Sequence, residues 1–584
     1  MKYYEGLDDK LIPIIEKFEK ETNIFVEDLL KDHKPSGRTI NSRVINDPIW
    51  GSIYFKYYEL KVLDSPIMQR LRYISQVGLA WQVFPSARHS RFEHSIGVFH
   101  VASEIINNIN KRTEKEIISK RQFSMIRLAA LLHDIGHCYY SHVSERVYGN
   151  MAEFNELKTH PLFEYKKAKG HEIFAYFIIN SMAFKRFFKS LDPNIDDYDN
   201  DDFYDSIGRM IVGYPVEEID TNLQGRQLIK NHFMTNIING GFDADKLDYI
   251  RRDVRFTGLC PDYDLARLLY RINIVDIPEE SVEGKFEKII HRNLVIPLNG
   301  VSAIEEIAFA KIQLTSSVYY HQKVLATDEL MVDFSNHLIK KKLVDHPCGF
   351  LYLTEKTIEK KEEFNTRITL NTAKTFYSIL KNIEKRGLPK RVLEIKMAYI
   401  KQSSDEPKQN ITELAVIEKG NIQKQMKMID DMREGILQIS INILKRLGES
   451  FLATEFENIE LFDKFDISAS FRNKPSFTSE DIIVYGSNKK PQPLNEIIPL
   501  GEWTQAFAAN KWSGYIFSRE DIIPLVNLAA RGYFENKFGI VLNEVAKYDC
   551  LKETDFEKVR KIEKTIDVQE IIKQFFSQIP PAKP

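Results

Sequence analysis

The sequence predicts a mainly helical protein, with a helical core in its first 345 residues and a C-terminal lobe that mixes helix and strand. Three observations carry this reading. Between Asp64 and Lys340, apolar residues recur at three- and four-residue spacing, the period of a helix with one buried face. After Lys341 the character changes to charged runs, such as Glu359 to Glu363, and to short alternating segments, such as Val392 to Tyr399. The chain has 584 residues, 43% hydrophobic and 28% charged. That is an ordinary globular composition, and the length allows large cores without disulfides.

Taken in order, residues 1–44 read as a charged helical lead-in, with one or two amphipathic helices between Leu11 and Leu30. Ile45 to Tyr58 is rich in Ile, Tyr and Phe around Gly51, which is compatible with a short hairpin. Ser65-Pro66 marks a helix start, because proline fits the first turn. Met68, Leu71, Ile74 and Val77 would share one face of that helix. After a break at Phe84-Pro85-Ser86, a second helix is expected from Arg91 to about Ile109. A third is expected from Ser124 to Ile135, stopped by Gly136. Helix is also expected over 171–184 and from Ser302 to about Lys340. These elements compose a core over 45–345. In the lobe, 346–584, strands are expected at Val392 to Tyr399, Thr412 to Ile417, Asp481 to Tyr485 and Ser513 to Phe517. Lys401 to Gln409 reads as a polar turn. Ile422 to Leu447 and Arg519 to Lys537 read as helices. The lobe's place as a regulatory or oligomerisation region is an expectation.

Formal net charge is −2, from 81 Lys+Arg and 83 Asp+Glu. That argues against a protein held to nucleic acid by bulk positive charge, while a local basic patch stays open. Cys138, Cys260, Cys348 and Cys550 form no CxxC pair, which disfavours a zinc ribbon or disulfide framework. No run approaches the roughly 18 apolar residues of a membrane helix. Met1 to Asp9 lacks the apolar core of a secretory signal. The expectation is a cytoplasmic protein with no membrane partner.

The stretch with chemistry is Leu131-Leu132-His133-Asp134-Ile135-Gly136-His137. Two adjacent polar residues at the end of an apolar helix need partners, and one divalent metal serves both. An imidazole with a carboxylate suits Mn²⁺, Fe²⁺, Zn²⁺ or Ni²⁺, with Mg²⁺ admitted. On a continuing helix, His137 would lie on the face of His133, one turn on. His94, in Arg91-Phe92-Glu93-His94-Ser95, and Asp245, in Asp243-Ala244-Asp245-Lys246-Leu247-Asp248-Tyr249, would complete four ligands from three segments.

The order His94, His133-Asp134, Asp245 resembles the HD-domain phosphohydrolase superfamily. Phe84-Pro85, Arg91 to Ser95, Ser141-His142, His171-Glu172, Asp245 to Tyr249 and Asp253 narrow the resemblance to its deoxynucleoside triphosphate triphosphohydrolase branch, the bacterial dGTPase-like and SAM- and HD-domain restriction-factor-like enzymes. It covers about residues 45–345. The resemblance implies a helical HD core, metal ligands His94, His133, Asp134 and Asp245, and hydrolysis of a dNTP at the α-phosphate to deoxynucleoside and intact triphosphate. Mn, Mg or Fe is the implied metal, with Zn or Ni admitted. The sugar 5′-oxygen leaves poorly unless protonated, so a general acid is needed. His137 and His142 are the candidates, and His171-Glu172 matches the family's supporting catalytic pair.

The resemblance also implies substrate contacts. Arg91 would meet the α-phosphate and Lys246 the outer phosphates, since a triphosphate needs several cations. Tyr249 and Asp253 would lie at the sugar. Gln76 and Val77 match the pair at the 3′-hydroxyl and 2′ position, with Val77 where the family has leucine. Tyr320 matches a family aromatic near the sugar, and Lys311 is the nearest match to a cation upstream of it. The implied partners are a dNTP substrate, a nucleotide effector at a subunit interface, and copies of the same chain in a tetramer or hexamer. An antiviral role by dNTP depletion follows from the analogy. Two other readings stand beside this one: an HD phosphohydrolase for another nucleotide, and a nucleotide sensor without turnover. Gly213-Tyr214-Pro215 lacks the preceding His and Glu residues of HD-type cyclic-di-GMP phosphodiesterases and reads as a turn.

Overall fold

A computed structural model describes residues 9–34, 42–112, 117–191, 201–220, 227–260, 263–280, 288–359, 381, 383, 385–401, 422–448, 467–472, 483–485 and 491–578. The chain forms two compact units. The first comprises Met1–Leu314, Lys341–Ala373 and Phe477–Leu500; the second comprises Thr315–Lys340, Lys374–Ser476 and Gly501–Pro584. The architecture is mostly helical with small mixed sheets, as the sequence predicts.

The first unit opens with helix α1 (Ile12–Leu30), which has proline in its first turn. Its buried face carries Ile15, Phe18, Phe25 and Val26. Strands β1 (Ser42–Asp47) and β2 (Gly51–Lys56) form an antiparallel hairpin. Gly51 supplies the left-handed turn residue, at φ +72°. Helices α2 (Tyr57–Leu63) and α3 (Pro66–Gln69) follow. The core is then built from α4 (Arg91–Arg112), α5 (Lys120–Leu132), α6 (His142–Tyr148), α7 (Ala152–Leu157), α8 (Pro161–Glu164), α9 (Gly170–Asn180), α10 (Met182–Leu191) and α11 (Asp201–Ile211).

Strands β3 (Val216–Asp220) and β4 (Gln227–Asn231) lead to α12 (His232–Ile238), α13 (Ala244–Thr257) and α14 (Leu265–Arg271). Strands β5 (Asn273–Glu280) and β6 (Lys288–Pro297) precede α15 (Val301–Leu314). Strand β6 has ten residues, long enough to serve two neighbours on one edge. It runs parallel to β4 over Lys288 to Arg292 and parallel to Ile483–Tyr485 over Val295 to Pro297. On its other edge β5 pairs antiparallel along its whole length. Pro491–Pro493 closes the far side of the sheet.

In the second unit, Gly514–Ser518 is the middle strand of an antiparallel sheet, between Lys390–Ile395 and Ile467–Ser470. Helices Ile422–Leu447 and Ile523–Phe538 cover it. Leu393, Ile436, Ile443, Ile516, Val526 and Phe534 make up part of its core. Among the described residues, no helix is long and apolar enough to cross a membrane.

Several boundaries depart from expectation. The helix expected to carry Met68 through Val77 stops at Gln69, tightens to a 3-10 turn over Arg70–Tyr73, and turns extended at Ile74. The cause is Arg70, whose buried guanidinium donates to the carbonyls of Leu351, Ile135 and His137 and so is drawn inward. The third helix ends at Leu132, short of Ile135. Helix over 171–184 is interrupted at Ser181, whose hydroxyl accepts from Phe184 N and starts α10. The strand at Val392 ends at Ile395, and the rest is a 3-10 turn. Most of the polar turn at Lys401 to Gln409 and all of the strand at Thr412 to Ile417 lie outside the described residues.

Candidate active site

Three helices and one turn bring the chemistry together, all within the first unit. Helix α4 begins with a side-chain tie across its first turn: Glu93 Oε2 accepts from Ser90 N at 2.9 Å. That start places Arg91 and His94 one turn apart on a buried face, with His94 fully enclosed. Helix α5 ends at Leu132, so His133 is its cap and Asp134 opens a turn. Helix α13 is capped by Asp243, whose Oδ1 accepts from Lys246 N at 2.7 Å. Asp245 thus lies in the first turn of α13.

The four side chains meet. His94 Nε2 lies 2.8 Å from Asp245 Oδ1 and 3.7 Å from Asp134 Oδ2. His133 Nε2 lies 3.3 Å from Asp134 Oδ1 and 3.8 Å from Asp245 Oδ1. His133 Nδ1 is engaged at 2.8 Å by the carbonyl of Ala130, so Nε2 faces the cluster. That Nε2 is buried and makes no hydrogen bond. A divalent metal fits this atom and the donor set of His94, His133 and Asp134, with Asp245 beside it, and the cluster implies one. The electrostatics agree. Burial opposes ionisation of Asp134, but Arg91 and then His133 hold it well below the carboxylate range. Burial disfavours charge on His94, yet Asp245 and Asp248 raise it to about 10. The cluster favours positive charge at its centre.

Asp248 supports this group, and sequence reasoning left it only as a neighbour of Asp245. Its Oδ2 lies 2.7 Å from His94 Nδ1, which fixes the ring so that Nε2 faces Asp245. Asp248 is held in turn by Arg252 at 2.8 and 2.9 Å and by Trp50 Nε1. Gly97 lets the helices approach here, because a Cβ would collide with Asp248 and Arg252. The spacing Asp245-x-x-Asp248, three apart on a helix, was the available signal.

The turn after Asp134 does not continue the helix. His137 reaches the site through this turn, with its N–H bonded to Asp134 O at 3.0 Å. A Cβ on Gly136 would strike the backbone of α9 at His171, so glycine is required for that approach. His137 stacks on His171, ring centroids 3.8 Å apart, and His142 lies edge-on to both. Glu145 holds two of these rings: Oε1 is 2.7 Å from His171 Nδ1 and Oε2 is 2.7 Å from His142 Nδ1. Glu172 instead accepts from Lys169 N at 2.8 Å at the start of α9, and its Oε1 is 3.9 Å from His171 Nε2. Sequence reasoning missed Glu145, which stands three residues after His142, one helical turn on.

Tyr140 and Ser141 both take left-handed conformations, at φ 49° and 55°. For non-glycine residues such strain costs about 1–3 kcal/mol each and needs support. Glu355 Oε1 accepts from Tyr140 N at 2.7 Å, Ser141 Oγ donates to Ser75 O at 2.6 Å, and Arg91 Nε donates to Ser141 Oγ at 2.8 Å. Arg91 also donates to Asp134 Oδ2 at 3.0 Å. Gln76 is buried with its Oε1 unpartnered, and Val77 beside it is half-buried.

Lys246 Nζ is bound to Asp243 Oδ2 at 2.6 Å and Gly240 O at 2.8 Å. Burial, then Lys246 and Lys169, push Lys311 down to about 7. Tyr249 follows Asp245 by one turn and is half-buried. Asp253 is enclosed and lies 2.7 Å from His89 Nε2. Tyr320 belongs to the second unit, packed beside Leu325, Ala326 and Phe517. The Gly213-Tyr214-Pro215 segment is a turn with Gly213 at φ +83°.

Residues 91–223 match the family model described as HD domain. An uncharacterized protein of Methanocaldococcus jannaschii is 31% identical over 290 residues, 50% of this chain and 48% of its own length. A protein of Mus musculus named deoxynucleoside triphosphate triphosphohydrolase SAMHD1 is 31% identical over 252 residues, 42% of this chain and 36% of its own. Over that span the chain is thus similar, at about 30% identity, to a protein named as a dNTP triphosphohydrolase. It spans about half or less of the length of these two curated relatives. A crystal structure of a hypothetical protein from Aquifex aeolicus shares the fold, with a TM-score of 0.51 at 21% identity over 83% of this chain and 98% of that one.

Proposed function

We propose that the protein is a metal-dependent phosphohydrolase that cleaves dNTPs at the α-phosphate, giving deoxynucleoside and intact triphosphate. The observation that carries the reading is the convergence of His94, His133, Asp134 and Asp245 beside a carboxylate-held histidine pair. These four residues would hold the ion, with Mn²⁺, Mg²⁺ or Fe²⁺ preferred and Zn²⁺ or Ni²⁺ admitted. When bound, a divalent ion supplies Lewis acidity at the α-phosphate and promotes attack by water.

The chain supplies the rest. Arg91 orients an α-phosphate oxygen while it stays tied to Asp134 and Ser141. Lys246, Lys311 and Lys169 spread positive charge for the outer phosphates. His142 gives the proton to the departing 5′-oxygen. Support for His142 over His137 comes from exposure: its side chain is 56% exposed with Nδ1 on Glu145, whereas His137 is enclosed. His171 shares Glu145 and sets the position of that pair. Gln76 and Val77 meet the sugar edge, with Tyr249 and Asp253 on α13 as further sugar contacts. A nucleotide effector at a subunit interface, a tetramer or hexamer, a regulatory lobe over 346–584, cytoplasmic residence and antiviral dNTP depletion belong to the same proposal, by analogy with the relatives.

The test is chromatography of the products from each dNTP and NTP, offered singly and in pairs with Mn²⁺ or Mg²⁺. Deoxynucleoside with intact triphosphate is expected, and none from His133→Ala/Asp134→Ala. Turnover that appears only with paired nucleotides would support the effector. Release of orthophosphate or pyrophosphate would overturn the reaction class.

A further inference from the structure

The turn of the β1–β2 hairpin reaches the metal cluster. Asp47 closes that turn, because its Oδ1 accepts from Ile49 N at 2.8 Å and from Trp50 N at 3.0 Å. Its other oxygen, Oδ2, accepts from Arg252 Nη1 at 2.9 Å. Trp50 donates its indole N–H to Asp248 Oδ1, across 198 residues of sequence. Asp248 is the carboxylate that holds His94 at Nδ1. We propose that Asp47 and Trp50 are positioning residues of the metal centre, acting on His94 through Arg252 and Asp248, and that metal binding in turn tightens the hairpin turn. The inference rests on the reading of His94 as a metal ligand.

Burial makes these contacts consequential. Asp248 and Arg252 are fully buried, and Asp47 is nearly so. Water cannot replace a partner lost there, so the remaining groups must move. The Asp248 carboxylate meets four donors: Trp50 Nε1, Arg252 Nε, Arg252 Nη2 and the His94 ring. The first three fix the carboxylate, and the carboxylate then fixes the direction in which His94 points Nε2 at Asp245. Asp47 engages the third nitrogen of the same guanidinium, so Arg252 has no freedom to rotate away. Supports of this kind are worth about 10–100-fold in metal affinity when they touch the ligand directly.

The turn is separable from the strands that carry it. Phe55 on β2 stacks on Phe99 of α4, with ring centroids 4.4 Å apart. Arg127 Nη2 donates to Tyr54 O at 3.1 Å. These anchors hold the strands whatever happens at the turn. Trp50 itself is half-buried, with its ring beside His100 and under the Arg251 guanidinium. The turn is therefore the water-facing end of a bonded path that ends at His94. Coupling along such a path is reciprocal. If a seated turn favours the metal-binding arrangement of His94, bound metal favours the seated turn by the same factor.

The experiment measures metal binding without substrate. The full-length protein is stripped with chelator and titrated with Mn²⁺ by calorimetry. Trp50→Phe keeps an aromatic ring and removes the N–H. Asp47→Asn keeps an acceptor for the turn and removes the charge on Arg252. Each is expected to weaken Mn²⁺ binding about tenfold, the lower end of the range for a direct support. Ser52→Ala removes the exposed Ser52–Asn46 bond of the same hairpin and is expected to leave the affinity unchanged. Circular dichroism and melting curves check each fold. Hydrogen exchange over residues 47–53 reads the reverse effect. Mn²⁺ is expected to slow it about tenfold in the wild type and by less in Trp50→Phe, with α1 unaffected. Wild-type affinity in both folded variants would overturn the proposal. So would hairpin exchange that ignores Mn²⁺ in the wild type, a reading that needs no variant to fold. Either result, with Mn²⁺ bound by the wild type, leaves the metal-ligand reading standing. A wild type that binds no Mn²⁺ would overturn both.

Discussion

Asp248 Oδ2 lies 2.7 Å from His94 Nδ1, and this contact fixes which nitrogen of His94 faces the metal cluster. Both side chains are fully buried. Burial opposes its ionisation, but Arg252 and His94 bring Asp248 down to about 2. Asp248→Asn keeps an acceptor for the ring but removes the charge that pairs with Arg252. It is expected to weaken metal binding by about 10–100-fold, read by calorimetric titration with Mn²⁺. Asp248→Ala removes two of the bonds on buried Arg252, leaving Asp47 at 2.9 Å, and is expected to cost about 3–5 kcal/mol of stability, read by denaturant melts.

Glu355 is a clamp on the site. One carboxylate oxygen accepts from Ser75 N at 3.0 Å and Tyr140 N at 2.7 Å, so it joins the segment with Gln76 to the strained turn before His142. Glu355→Ala is expected to lower kcat by up to about 100-fold through misplacement of that turn, with a smaller change in KM. Glu355→Gln retains an acceptor oxygen and is expected to recover most of the loss. Equal defects in the two variants would show that charge, not position, is the relevant property.

Lys311 gives a proton-linked signature of anion binding. Its folded pKa of about 7 lies below the ordinary 10.5, so at pH 8 it is mostly neutral. A bound polyanion favours the charged form and draws a proton from buffer. Calorimetry with inorganic triphosphate at pH 8, in buffers of different ionisation enthalpy, is expected to show proton uptake in the wild type and less in Lys311→Met. Affinity is expected to fall as pH rises above about 7.

His346 predicts an acid weakness in the packing around α1. Burial, with Lys17, holds it down at about 4 against the usual 6.5, and its ring packs edge-on to Phe18 at 4.9 Å. The unfolded chain binds this proton below about 6.5 and the folded chain does not. The contribution is therefore intact above about 6.5 and is lost as pH falls toward 4, on the order of 3 kcal/mol in all. His346→Phe forfeits the bond from Cys348 N, about 1 kcal/mol at neutral pH, but is expected to flatten the stability profile across that window.

Much of the helical core was legible because its period is long and its caps are local. Ser65-Pro66 and the run from Ile422 to Leu447 announce their helices from neighbouring residues alone. The four clustered side chains were legible as a pattern of residue types. What escaped depends on distant partners. Nothing near Arg70 says that carbonyls at residues 135, 137 and 351 will end its helix. The strand near Tyr485 was expected, but not its partner, because that pairing spans nearly 200 residues, with Val295 beside Ile483. Glu145 was passed over because one surface-like glutamate in a helix looks like any other until two histidines meet it.

The two units interleave along the chain, and that order constrains how a ribosome delivers the protein. Residues 1–314 emerge first with the HD motif complete, yet the first unit still lacks Glu355 and the strands at 483–485 and 491–493. The nascent chain therefore carries a strained turn without its clamp until residue 355 emerges, and an unfinished sheet edge at β6 until residue 493 does. Exposed edges of this kind recruit wrong partners. The first unit is thus complete only once residue 493 has emerged, and a stall before that residue would release a chain prone to aggregation.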